Sequence, residues 1–173
     1  MTLSIIEADL LNPPHAAAVV ALLDGYAATP FGQSRPLDES IRTALIPALL
    51  KHPTKRIFLA QHGDQFVGIA VCFVGFSTFL ARPLLNIHDI YVREDHRGQG
   101  VGSLLLAAVE EAAIASGYCK LTLEVMDANP KATAVYERAG FQLGTVGYDA
   151  HRFMTKKLRD RSDKAFTRDV AKN

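Results

Sequence analysis

The run Ile87-His88-Asp89-Ile90-Tyr91-Val92 leads through a short polar turn into Arg97-Gly98-Gln99-Gly100-Val101-Gly102-Ser103, and no other stretch constrains the fold as strongly. The apolar, β-branched start predicts a strand, and the three glycines predict a turn with bare backbone. After them Val101, Leu104, Leu105, Ala108, Val109 and Ala112 recur at helical spacing, so a helix with one apolar face follows. Such a strand, turn and helix must bury the helix against a sheet, which points to the α/β or α+β class. Bare glycine backbone at a helix start lets N–H groups approach an anion closely, and Arg97 can add a charge-assisted contact. The segment therefore reads as a phosphate cradle.

The rest of the chain alternates element types. Leu3 to Ala8 reads as a strand, Pro14 starts a first helix, and Asp38 is the expected N-cap of a second helix through Leu50, bent or split at Pro47. Strands are expected at Arg56 to Gln61 and Gln65 to Phe76, joined by a turn at His62-Gly63-Asp64, and then at Leu84 to Val92. A helix from about Gly100 to Ser116, a strand Lys120 to Val125, a helix Lys131 to Ala139 and strands Gln142 to Tyr148 and His151 to Lys157 complete the order β-α-α-β-β-β-α-β-α-β-β. At 173 residues this is one domain, expected over residues 1–158, with a polar tail over 159–173.

With 49% apolar and 21% charged residues, the composition is that of an ordinary globular chain. The net charge of +1 gives no global attraction to nucleic acid or an anionic membrane. No apolar run reaches the roughly 18 residues of a membrane span, and no secretory leader is visible, so a cytoplasmic protein is expected. Cys72 and Cys119 sit in apolar, strand-like segments without metal-ligand spacing, which predicts buried free thiols and no metal.

Two motifs together resemble the GNAT superfamily of N-acetyltransferases. Its signature Q/R-x-x-G-x-G/A is met by Arg97-Gly98-Gln99-Gly100-Val101-Gly102, and its N-x-x-A-x-x-x-Y-x-x-x-G-F pattern by Asn129, Ala132, Tyr136 and Gly140-Phe141. The resemblance covers about Phe73 to Phe141. It implies a mixed, mostly antiparallel sheet of about seven strands flanked by about four helices. It also implies that the strand at 84–92 splays from the strand at 120–125 and that the pantetheine arm of acetyl-coenzyme A enters the gap. Backbone groups of Ile90, Tyr91 and Val92 would then bind the arm, one freed N–H would face the thioester carbonyl, Arg97 to Ser103 would hold the pyrophosphate, and Asn129 would fix the arm from the far side.

The same resemblance makes Tyr136 the group that serves the leaving thiolate. A phenol near pKa 10 giving its proton to a thiolate near 8.5 is uphill by about 2 kcal/mol, so the site must lower that pKa or use Tyr136 as a hydrogen-bond donor alone. Two positions compete as base. Glu124 matches the base of the branch that acetylates protein N-termini, and His88, nine residues before Arg97, matches the position filled by glutamate in diamine acetyltransferases and histidine in aralkylamine acetyltransferases. Asp89 matches an acid of the diamine branch and is expected to bind substrate. On a regular pleat it faces away from His88, and a bulge would reverse that. An imidazole near pKa 6.5 takes a proton from a lysine-like ammonium uphill by about 5 kcal/mol, against about 2 for an α-amino group.

The expected reaction is acetyl transfer to a primary amine, a small amine or diamine being favoured. A protein N-terminus, an amino acid or an aminoglycoside stands as an alternative, and a homodimer is a family-level expectation. A non-catalytic coenzyme A-binding module is the reading from another class. Gly98-x-Gly100-x-x-Ser103 also approximates a dinucleotide fingerprint with Glu124 as ribose acid, but its third position is neither Gly nor Ala and the flanking βαβ repeat is missing.

Overall fold

The computed structural model describes residues 2–142 and the backbone of two short strands at 145–146 and 149–150. Its elements are β1 (Leu3–Glu7), α1 (Pro13–Ala27), α2 (Glu39–Lys51), β2 (Lys55–His62), β3 (Gln65–Ser77), β4 (Arg82–Val92), a single 3₁₀ turn at Glu94–His96, α3 (Val101–Ala115), β5 (Leu121–Leu123), α4 (Pro130–Arg138), β6 (Thr145–Val146) and β7 (Asp149–Ala150). Five strands form one sheet in the order β1-β2-β3-β4-β5, antiparallel except for the parallel β4–β5 pair. The chain divides into a unit ending at Phe141 and a second beginning at Gln142, in which β6 pairs antiparallel with β7. Where about seven strands in one sheet are expected, the described residues thus give five. The expected strand His151 to Lys157 and the tail 159–173 lie outside the described residues.

Alternation along the central strands divides the core in two. Ile57, Leu59, Ile69 and Val71 face α1 and α2, where Val19, Leu22 and Leu49 cover them. Phe58, Ala60, Ala70 and Cys72 face α3, whose Val101, Leu105, Leu106, Val109 and Ala113 bury against them. At roughly 1.5–3 kcal/mol for each large apolar side chain buried, these layers hold both helix sets on the sheet.

Local chemistry departs from the sequence expectation in four places. Asp38 is the N-cap residue of α2 as expected, but its side chain makes no cap hydrogen bond, its carboxylate being paired with Arg35 at 2.8 Å. The helix runs through Pro47 as one element rather than splitting. The strand expected to reach Val125 stops at Leu123. Cys72 is buried, its thiol pushed up to about 12 by desolvation, whereas Cys119 is only half-buried and lies in the turn before β5.

Arg56 ties three elements together. Its Nε and terminal nitrogen grip the Glu7 carboxylate at 2.9 and 2.7 Å, and its other terminal nitrogen donates to Ala112 O and Ser116 Oγ at 3.2 and 3.0 Å. The last turn of α3 carries no basic residue of its own, so Arg56 supplies the cation that the negative helix end favours. Arg56 also holds the Glu7 carboxyl below its usual range. Arg56→Met should cost about 1–3 kcal/mol in urea unfolding, because a forked, partly buried ion pair and two further bonds are lost. A loss under about 0.5 kcal/mol would reduce it to an ordinary surface pair.

Candidate active site

The site begins where two strands part. β5 pairs with β4 only from Leu85↔Leu121 to Ile87↔Leu123, while β4 continues five residues further to Val92. From His88 onward the β5-facing edge of β4 has no strand neighbour among the described residues. The opening is a cleft of about 600 Å³. Ile87, His88, Ile90, Tyr91 and Val92 line one wall, and Leu123, Glu124, Val125 and Met126 line the other.

A β-bulge sits at the fork. Val71 pairs with Asp89 and Cys72 with Ile87, so His88 is the extra residue in β4. Leu85 and Ile87 on one side of it, and Ile90 and Val92 on the other, all pack in the α3-side core. His88 and Asp89 are therefore both left on the α1 and α2 side, the reversal that a regular pleat forbids. The His88 ring stands edge-on to Phe73 with centroids 5.6 Å apart and is exposed at the cleft. Asp89 is half-buried behind the cleft wall, and its burial raises its carboxyl pKa against the opposing pull of His88.

The glycine loop forms the cleft's outer end. Gly98 and Gly100 have φ of +75° and +82°, left-handed values that glycine adopts without strain. A Cβ at either would meet nothing within 4 Å, so backbone conformation and not crowding by the protein demands glycine there. Gly100 is the N-cap of α3, and the first intrahelical bond is Leu104 N–H to Gly100 O at 3.1 Å. The N–H groups of Val101, Gly102 and Ser103 come before that bond, no side chain caps them, and no first-turn acid opposes an anion. Arg97 donates from Nε to Val92 O at 3.1 Å. Gln99 does not line the cleft, since its amide donates to Asp95 O at 3.1 Å.

α4 closes the far side. Asn129 is its N-cap, and the side-chain oxygen accepts from Ala132 N–H at 3.2 Å, while the amide NH₂ has no protein partner among the described residues and can donate to a ligand. Tyr136 lines the cleft and is half-buried. Its phenol is pushed up to about 12, by desolvation first and by the neighbouring Tyr26 second.

Sequence reasoning did not single out Tyr26, Thr29 and Phe31, which line the cleft from the end of α1 and the loop after it. That loop is tightly wound: Thr29 Oγ1 donates to Tyr26 O at 2.7 Å, Tyr26 Oη to Phe31 O at 3.3 Å, and Asp24 Oδ1 accepts from Leu37 N–H at 2.8 Å. A Cβ at Gly32 would lie 2.4 Å from Tyr26 O, so only glycine fits the winding. Burial, and then Asp89, raises the pKa of Tyr26. No sequence pattern marks these residues, because their place depends on how α1 packs over β4. Lys131 and Arg138, seven residues apart on one face of α4, also line the cleft.

Among the described residues no cluster of three or more His, Cys, Asp or Glu could hold a metal ion, and no helix is long and apolar enough to cross a membrane.

Residues 19–141 match the acetyltransferase (GNAT) family. The chain is 30% identical over 143 residues to a thialysine N-epsilon-acetyltransferase from Bos taurus, covering 82% of this chain and 75% of the bovine one. It is 29% identical over 145 residues to an L-ornithine N5-acetyltransferase from Arabidopsis thaliana, covering 80% of this chain and 64% of the plant protein. Among solved structures, a probable acetyltransferase superposes with a TM-score of 0.75 at 24% identity, over 89% of this chain and 99% of the other. An aminoglycoside acetyltransferase from an uncultured soil metagenomic sample, in complex with sisomicin, superposes with a TM-score of 0.69 at 18% identity, over 90% and 97%. These two structural likenesses carry the fold alone, while the family match and the bovine relative carry more: the chain belongs to the GNAT family and is an N-acetyltransferase.

Proposed function

We propose that the protein transfers the acetyl group of acetyl-coenzyme A to a primary amine of a small molecule, a diamine or an amino acid with a side-chain amine. The observation that carries this reading is the cleft between β4 and β5, with uncapped helix amides at one end and His88, Glu124 and Tyr136 within it. The residues fit the cosubstrate. The free amides of residues 101–103 and Arg97 suit a diphosphate, the unpaired β4 edge suits the amides of an extended arm, and the Asn129 NH₂ group suits a carbonyl on that arm. When bound, acetyl-coenzyme A supplies an acyl thioester open to attack by a neutral amine.

The chain's own groups would then divide the work. His88 or Glu124 takes a proton from the incoming ammonium, and a backbone N–H on the β4 edge stabilises negative charge on the carbonyl oxygen. Tyr136 donates a hydrogen bond toward the leaving sulfur. With its pKa about 12, full proton transfer to a thiolate near 8.5 is uphill by about 5 kcal/mol, so the hydrogen bond is the role that its surroundings favour. Tyr26, Phe31 and Met126 give the acceptor end an apolar lining, and the carboxylate of Glu124 on the cleft wall favours a cation there, while Asp89, the expected substrate acid, lies behind that wall. The names of the bovine and plant relatives, which refer to amines on amino-acid side chains, support the same class.

The test is a panel of thialysine, ornithine, diamines, an aminoglycoside and N-terminal peptides, read by thiol release. Thialysine, ornithine or a diamine should turn over fastest. Preference for a peptide N-terminus or the aminoglycoside would replace the acceptor assignment, and tight cofactor binding with no turnover would favour a binding module. On the best acceptor, either His88→Ala or Glu124→Ala should remove the acidic limb of the kcat/KM profile, and its persistence in both would show that neither is the base.

A further inference from the structure

We propose that the Tyr91 side chain is a positioning residue for the phosphate cradle, and that position 25 in α1 is glycine so that the ring can lie where it supports Arg97. The proposal rests on the reading that residues 97–103 hold the diphosphate of coenzyme A. Although the Tyr91 backbone belongs to the open edge of β4, its ring packs with the core on the α1 side of the sheet. There it meets α1 closely. A Cβ built on Gly25 would stand 3.2 Å from the phenol oxygen, 3.3 Å from Cε1 and 3.4 Å from Cζ. Carbon contacts are comfortable at about 3.5–4.0 Å, so any side chain at position 25 must push the ring.

The ring also carries the cradle's cation. The Arg97 guanidinium carbon lies 5.8 Å from the Tyr91 centroid, within the range of a cation–π contact. The Nε bond to Val92 O is the second hold on Arg97, and its terminal nitrogens have no protein acceptor among the described residues. They are free to donate to an anion. Of the two holds, the backbone bond is set by β4 itself, whereas the stacking depends on where α1 lets the ring rest. Tyr26, the next residue in α1, lies 6.0 Å from the same ring and donates to Phe31 O at the acceptor end. One helix terminus thus reaches the cradle through Tyr91 and the acceptor mouth through Phe31.

Gly25 does not line the cleft, so a change there separates positioning from direct contact. Alanine is a better helix former than glycine by about 1 kcal/mol, which offsets the cost of displacing the ring, so Gly25→Ala should leave the melting temperature little changed. It should nevertheless raise the Kd for coenzyme A, measured by titration calorimetry, about three- to fivefold, the scale of one cation–π contact. The KM for acetyl-coenzyme A should rise by the same factor while kcat at saturation stays within about twofold. Tyr91→Leu should raise the Kd similarly, and adding Gly25→Ala to it should change nothing more, since no ring remains to be displaced. An unchanged Kd in Gly25→Ala, or its full effect reappearing on top of Tyr91→Leu, overturns the proposal. Should Gly25→Ala not fold, Tyr91→Leu decides alone, a Kd equal to wild type refuting the role. Wild-type protein that binds no coenzyme A is a different failure, that of the cradle reading itself.

Discussion

Gly102→Leu is expected to weaken acetyl-coenzyme A binding about a hundredfold or more, roughly 2.7 kcal/mol, without loosening the fold. Position 102 lies in the first turn of α3 and lines the cleft, and its only neighbour within 4 Å of a built Cβ is Val92 Cγ2 at 3.9 Å. A leucine there meets open cleft and fills the space above the free helix amides. Because the backbone at 102 is helical, leucine adds no strain and replaces a poor helix former. Gly100→Val is a less clean probe. At φ +82° a β-branched residue costs about 1–2 kcal/mol in backbone strain, so lost binding would mix distortion with blockage. Calorimetry with acetyl-coenzyme A beside a thermal melt reads both effects of Gly102→Leu, and wild-type affinity in a folded variant would remove the cradle from the mechanism.

Tyr136→Phe should lower kcat about 10²- to 10³-fold and leave the KM for acetyl-coenzyme A within about threefold, as expected for a donor that acts on charge developing at the leaving group. The pH dependence sharpens this. Burial and the neighbouring Tyr26 favour the neutral phenol, so its hydroxyl keeps its proton at every pH below about 12 and the donor is lost only above that. Wild-type kcat should therefore show no fall between about pH 8 and 10 that the variant abolishes. Such a fall, or full activity in Tyr136→Phe, would end the assignment and leave that phenol as a packing residue against Phe141, whose ring centroid is 6.1 Å away.

The parts of this protein that could be read from sequence are those written in neighbouring residues. Gly98 and Gly100 supply the positive φ of the turn, a short helix expected over Lys131 to Ala139 is α4, and the helical spacing of Val101, Leu105 and Val109 marks the buried face of α3, although Leu104 of the same expected stripe is exposed and Leu106 is buried instead. Each follows from local sterics and periodicity, which hold wherever the segment lies. The hairpin at Gly63 and the β-α-α-β order upstream were legible for the same reason.

What only the tertiary structure decided depends on pairing between distant segments. His88-Asp89 reads as two ordinary strand residues, and only the register against Val71 and Cys72 makes one of them a bulge and turns both to the same face. Glu124 and Val125 read as the end of a strand, yet they leave the sheet and with Met126 become a cleft wall because β4 and β5 stop pairing at Ile87 and Leu123. Tyr26 and Phe31 face the cleft because α1 crosses β4 so closely that a Cβ at position 25 would stand 3.2 Å from the Tyr91 phenol oxygen. A residue's type sets the chemistry that it can perform and the local backbone that it prefers, but its direction in a sheet is a property of register, and register is settled by side chains far away in the chain.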